Sequence, residues 1–339
     1  MHVLVIRLSA MGDVAMTVPV LLEALEQNPD LELTVLSKRP FQYFFPVSNR
    51  LHFEAIDTKD AHKGFFGLYK KFKELTGKYQ FRAVADFHNV LRSNVLSSFF
   101  RMSGKRVASI EKGRAGKRQL TRKENKVSKA QKHSSVRYAD VLRQLGLRLK
   151  FEPTERKEYL KNDEKAPLEL NTFNVGFAPF AQHEGKAYPF EKCREVIHEL
   201  AKNKKVNVFL FGGGKKESDL LKKLESDNVF SLAGKFLLPQ ELAQIAKLNV
   251  MVSMDSANMH IASLFGVRTI SIWGATHYLA GFLGIGQKAE DIIEIPPDEL
   301  ACRPCSVFGN KPCFRGDYAC LHKIDSNRIV DKIHGALNG

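Results

Sequence analysis

The turn Arg7-Leu-Ser9-Ala-Met-Gly12-Asp13 follows a short apolar run and sets a carboxylate beside a guanidinium and a hydroxyl. A carboxylate so placed, beside Arg7 and Ser9, can take a proton from a substrate hydroxyl. The competing reading is that Asp13 only caps the following helix. In Met254-Asp255-Ser256-Ala-Asn-Met-His260 an apolar strand breaks into Asp-Ser, and a helix begins with His260 near its first turn. Unpaired N–H groups and the helix dipole favour a phosphate there, and Ser256 and His260 add donors. An ordinary N-cap beside a half-buried histidine would look the same. Phe211-Gly-Gly-Gly-Lys-Lys-Glu217 admits close backbone approach to a ligand, or is simply a loose turn. Lys186, before Tyr188-Pro189, suits a phosphate as a point charge, or is a surface lysine. No G-x-G-x-x-G and no Walker A loop occurs, which excludes those two modes of nucleotide binding.

Cys302-Arg-Pro-Cys305, followed by Cys313 and Cys320, has the character of a zinc site, although the second pair lacks the usual short spacing. Buried thiols or exchangeable disulfides are the alternatives. A four-thiolate site would be structural, because it leaves no open position for catalysis.

Strand-like apolar runs alternate with helical spacing across the chain. Strands are expected at 2–8, 31–38 and 81–88, with helices at 18–28, 65–75, 95–100 and 134–147. A charged stretch at 150–170 with Pro153 and Pro167 suits a linker. Strands at 174–180, 206–213, 249–255 and 268–274 then alternate with helices at 190–203, 215–226, 239–248 and 256–266. Two such series predict an α/β protein of two doubly wound domains. The expected boundaries are 1–160 and 170–322, with a final helix at 323–339.

A chain of 339 residues, at about 150 per domain, agrees with that count. No apolar run reaches the ~20 residues of a membrane span. Arg7 and Asp13 interrupt the apolar start, so it is not read as a signal peptide. Five cysteines do not make a disulfide scaffold, and a cytoplasmic protein is expected. The formal net charge is +15. Residues 101–137 hold thirteen Lys/Arg against Glu111 and Glu124, and the segment reads as a long mobile loop in the first domain. It is either a solvated loop or an arm for anionic lipid. Nucleic acid is not the expected partner, since no Phe, Tyr or Trp lies between Phe100 and Tyr138 to stack on bases.

Together, R-L-S-A-M-G-D-V-A-M-T-V-P (7–19), D-S-A-N-M-H-I-A-S-L-F-G-V-R-T-I-S-I-W-G-A-T (255–276) and the cysteine-bearing stretch 302–321 resemble glycosyltransferase family 9, the lipopolysaccharide heptosyltransferase type. The resemblance covers essentially the whole chain. It implies a GT-B architecture, two Rossmann-like domains facing an inter-domain cleft, with acceptor on the first and nucleotide-sugar donor on the second. It implies inverting transfer of L-glycero-D-manno-heptose from an ADP-sugar to an inner-core sugar, with Asp13 as general base. Lys186, Asp255, Ser256 and His260 would bind the donor, and Glu217 its ribose or adenine side. Position 257 is Ala where the family commonly has Gly, which crowds the backbone beside the diphosphate. No cofactor is then required for catalysis. The acceptor is expected to be an anionic glycolipid at the inner face of the cytoplasmic membrane, approached through 101–137. Two alternatives are a catalytically silent GT-B relative that binds nucleotide, and a transferase using another nucleotide sugar.

Overall fold

Runs such as Val3-Leu-Val-Ile6 are apolar on both faces, so they become strands of parallel sheets covered on both sides. The structure, a computed structural model, describes residues 1–338. Two compact units emerge, one formed by 1–112 with 134–153 and the other by 113–133 with 154 onward.

The first unit contains β1 (His2–Ile6), α1 (Met11–Ala15), α2 (Thr17–Gln27), β2 (Glu32–Ser37), β3 (Leu51–Ala55), α3 (Gly64–Lys78), β4 (Ala83–Asp86), α4 (Leu91–Met102) and β5 (Arg106–Ser109). Then α5 (Arg114–Leu120) belongs to the second unit, and α6 (Ser134–Gln144) returns to the first. The five strands run parallel in the order β3-β2-β1-β4-β5. Leu4, Ile6, Leu36, Leu68, Phe81, Leu96 and Phe100 form a core under α3 and α4.

The second unit adds β6 (Phe173–Ala178), α7 (Phe190–Ala201), β7 (Val206–Leu210), α8 (Gly214–Lys222), β8 (Val229–Ser231), α9 (Leu238–Ile245), β9 (Val250–Met254), α10 (Ala257–Leu264), β10 (Arg268–Trp273), β11 (Ile292–Glu294), α11 (Ala319–His322) and α12 (Ser326–Asn338). Its six parallel strands are ordered β11-β10-β9-β6-β7-β8. The expected final helix is α12, and it is not a separate piece: Ile329, Val330 and Ile333 belong to the core of this unit, and the helix packs on α7. Among the described residues, no helix is long and apolar enough to cross a membrane.

The segment 101–137 differs most from expectation. Residues 106–109 are β5, 114–120 are α5, and 113–133 pack with the second unit, whereas the expected boundaries put them in the first domain. The apparent lack of pattern hides long-range anchors. The Lys126 ammonium donates to the carbonyls of Cys302 and Pro304 at 2.5 and 2.7 Å. The Gln131 N–H donates to Leu279 O at 2.8 Å, and His133 Nε2 meets Leu283 O at 2.6 Å. Buried Lys117 lies 4.0 Å from the centre of the Phe282 ring. Several of the thirteen cations therefore serve the fold, and this is not one long mobile loop.

Candidate active site

In a doubly wound sheet the chain reverses direction at one place, and the carboxyl ends of the two strands there open a crevice. In the first unit that place lies between β1 and β4. The turn after β1 carries Arg7, Ser9 and Asp13; the turn after β4 carries His88. Arg7 is 7% exposed and reaches both ways, donating to Phe87 O at 2.8 Å and pairing with Asp13 Oδ2 at 2.6 Å. Its guanidinium also lies 5.8 Å from the Tyr138 ring centre. Asp13 accepts the Ala10 N–H at 3.3 Å, so the capping role is real. The cap does not consume the group, whose side chain keeps 32% exposure. Ser9 is half-buried within the same turn. Buried Asp86 shapes the facing turn by accepting the His88 and Asn89 N–H groups at 2.9 and 2.8 Å.

In the second unit the reversal lies between β6 and β9. The turn after β6 leads to Lys186, and the turn after β9 carries Asp255 and Ser256. Lys186 Nζ stands 2.8 Å from Asp255 Oδ2, and that carboxylate is 5% exposed. Ser256 is the N-cap residue of α10 but makes no capping hydrogen bond. Its hydroxyl is 2.9 Å from Ser253 Oγ, so the first-turn N–H groups have no side-chain cap. His260 is buried in the first turn of α10. A lysine over an uncapped helix start, at a strand's carboxyl end, is an arrangement suited to a diphosphate.

Residues 69–293, well over half the chain, match the family model described as "Glycosyltransferase family 9 (heptosyltransferase)". The chain belongs to glycosyltransferase family 9. Curated relatives include the lipopolysaccharide core heptosyltransferase OpsX of Haemophilus influenzae, 24% identical over 79% of this chain and 78% of the relative. Lipooligosaccharide heptosyltransferase 2 of Campylobacter jejuni is 24% identical over 37% of this chain, and the match spans only 40% of its own length. Among solved structures, E. coli heptosyltransferase WaaC with ADP aligns with a TM-score of 0.70 at 19% identity, covering 99% of this chain and 100% of that one. That likeness shows the fold, which is GT-B: two parallel-sheet, Rossmann-like units.

The family resemblance singled out residues that the structure sorts into two groups. Arg7 pairs with Asp13 close after Ser9 in the segment that follows β1, Lys186 pairs with Asp255 at the other reversal point, and Ser256 and His260 lie at the cap and in the first turn of α10, which follows Asp255. Glu217 instead accepts the Gly213 N–H at 2.7 Å, and so caps its own helix, α8. All five cysteines are free thiols. Burial first, then Cys302, raises the Cys305 thiol, and burial pushes Cys320 up to about 12. Yet among the described residues the one group of three His, Cys, Asp or Glu donor atoms within 4.8 Å of one another is His2, Glu32 and His52. The four thiols are thus not gathered at metal-ligand spacing. The cysteine-bearing stretch does something else: buried Arg303 donates to Gly274 O at 2.6 Å and Thr276 O at 3.1 Å, and Tyr318 donates to Glu184 at 3.0 Å. The segment clasps the loop that carries Lys186. Trp273 is fully buried and donates to Ser271 Oγ at 2.7 Å.

Three further histidines, His88, His133 and His277, are partly or fully buried. Burial, ahead of any neighbouring charge, lowers His88 from 6.5 to about 3 and His133 and His277 to about 4. These rings are neutral in the native protein, while the unfolded chain takes up protons near pH 6.5. The unfolded state therefore binds more protons as the pH drops through that value, and native stability must fall with it. Melting temperatures should decline from about pH 7 to about pH 5, within the window those shifts define. His88→Asn, which still offers an acceptor to the Leu8 N–H, should flatten the decline; an identical slope would remove His88 from the balance.

Proposed function

We propose that this protein is an inverting heptosyltransferase that moves a heptose from an ADP-sugar to a lipopolysaccharide core acceptor. The observation that carries the donor half is the Lys186–Asp255 pair beside the uncapped start of α10. Lys186 and the first-turn N–H groups meet the charge that develops on the departing diphosphate. Asp13 takes the acceptor hydroxyl's proton as that oxygen bonds to the anomeric carbon and the carbon–oxygen bond to phosphate breaks. Attack opposite the leaving group inverts the anomeric configuration. This chemistry calls for no cofactor, because cationic and backbone donors hold the leaving group.

Two relatives support the choice of sugar and acceptor: one solved structure is WaaC with ADP-2-deoxy-2-fluoro heptose, and OpsX is a lipopolysaccharide core enzyme. An anionic glycolipid acceptor places the protein at the inner face of the cytoplasmic membrane, where the exposed Arg101, Arg114, Arg118 and Arg122 add attraction. Calorimetric titration with ADP, UDP and GDP, followed by transfer assays with ADP-heptose, tests the assignment. Preference for ADP with heptose transfer is expected, and equal affinity for all three nucleotides would refute the ADP-sugar reading.

The clasp over Lys186 gives a sharper test. Gly309 has φ +73°, and a Cβ there would sit 2.6 Å from Lys186 Cγ. Gly309→Ala should shift that lysine and weaken ADP binding about tenfold, the scale of one charged hydrogen bond. Unchanged affinity would mean that the lysine does not touch the diphosphate.

A further inference from the structure

α3 opens with the sequence Lys63-Gly-Phe65-Phe66-Gly-Leu68-Tyr69-Lys70-Lys71-Phe72-Lys73. Its inner face is conventional. Leu68 and Leu75 are buried, and Phe72 packs on Phe99 and Phe100 with ring centroids 5.8 and 4.9 Å apart. An amphipathic surface helix should be polar on its other side. This one is not: Phe66 is 84% exposed, Phe65 59% and Tyr69 46%.

Lys63, Lys70 and Lys73 are exposed among these rings. At 3.6 residues per turn, Phe65, Phe66, Tyr69, Lys70 and Lys73 share roughly 140° of the helix circumference. Lys71 is the exception, turned inward to Glu54 and Glu74 at 3.2 and 3.3 Å. Glu74, the acid that follows Lys73, is already engaged by Lys71 and His62, so it does not neutralise the face. The patch continues onto α4. Phe99 touches Phe65 and Tyr69, with ring centroids 5.1 and 5.4 Å away. One turn later Met102 is 76% exposed beside exposed Arg101.

Single exposed apolar side chains need no explanation, but a cluster of aromatics interleaved with cations does. Rings that prefer the boundary between headgroup and acyl chain, with lysines at the depth of lipid phosphates, define an interfacial helix. Charge complementarity selects an anionic surface, and each lysine near it contributes about 1 kcal/mol.

We propose that α3 is a membrane anchor: Phe65, Phe66 and Tyr69 enter the headgroup boundary of an anionic bilayer while Lys63, Lys70 and Lys73 contact lipid phosphates. This deepens the glycolipid reading above by naming the surface that brings the protein to its acceptor. The apolar contacts set the depth, and the cations of 101–137 add only long-range attraction.

Co-sedimentation with phosphatidylcholine vesicles, with and without phosphatidylglycerol, provides the test. Phe66→Ser removes a side chain that is 84% exposed and meets the edge of the Phe65 ring, itself exposed, at 5.8 Å. It should lower the partition coefficient about tenfold, with no change in melting temperature. Lys70→Gln/Lys73→Gln should erase the preference for phosphatidylglycerol. Undiminished partitioning of Phe66→Ser, with loss on neutralising Arg114, Arg118 and Arg122, would move the docking surface to the basic segment and overturn the proposal. So would conversion of a dimer to a monomer by Phe66→Ser without vesicle binding, or salt-sensitive duplex DNA binding in place of vesicle binding. A chain that binds vesicles through α3 yet transfers no heptose leaves the anchor standing and refutes only the transferase reading.

Discussion

Asp13→Asn should bind ADP as the parent protein does and lose transfer, with kcat falling about 10²–10⁴-fold, the usual worth of a general base. Asparagine keeps the size of the side chain and still offers an oxygen to the Ala10 N–H, but it accepts no proton at neutral pH. The same substitution leaves the buried Arg7 guanidinium without its anion. Breaking a fully buried pair costs about 3–5 kcal/mol. The cost here is smaller, because the Asp13 side chain is 32% exposed and solvent screens it. A melting curve for the variant therefore comes first, and rates are compared well below its midpoint. Transfer at the parental rate by a folded Asp13→Asn protein would falsify the base assignment.

Lys186→Ala should weaken ADP binding about 10–100-fold, the value of a hydrogen bond to a charged group. It should also lower stability, since Asp255 is left buried with its cation gone. The two effects separate in Lys186→Ala/Asp255→Asn, which removes the stranded charge. Stability should return in the double variant, and ADP affinity should not. Recovery of both would make the pair a structural ion pair and place the diphosphate elsewhere. Thermal melts and calorimetric titration of the three variants decide between these outcomes.

What the sequence disclosed follows from how each strand is buried. Interior strands β1, β2, β4, β6, β7, β9 and β10 show as apolar runs because helices cover both faces. The four strands that escaped notice, β3, β5, β8 and β11, are the edges of the two sheets. Three of them are only three or four residues long, and all carry half-exposed positions, so none presents a continuous run. The site turns were legible for the complementary reason: Asp13 and Asp255 each interrupt an apolar stretch, Asp255 directly after β9 and Asp13 in the first turn of the helix that follows β1. The clasp on Lys186 was not legible, because Gly309 and Lys186 are far apart in sequence and meet only in the fold. Nor was the fate of Lys117, Lys126 and His133. A run of cations looks solvated until the carbonyls and rings that receive it are known.

Those anchors bear on how the protein is made. Residues 113–133 leave the ribosome well before their partners, Leu279 to Pro304, which lie about 150 or more positions downstream. At 5–20 residues per second, the basic segment waits roughly 8–30 s before the carbonyls that tether it have been synthesised. During that interval the first unit can close its own sheet, because its last strand, β5, ends at Ser109. The second unit cannot finish until α12, which supplies Ile329, Val330 and Ile333 to its core, has been synthesised. It is also not a severable piece: a fragment beginning at residue 154 lacks α5 and the Lys126 and His133 anchors. Expressed alone it would expose Phe282 and the carbonyls of Cys302 and Pro304, and co-expression with residues 1–153 is the way to recover it.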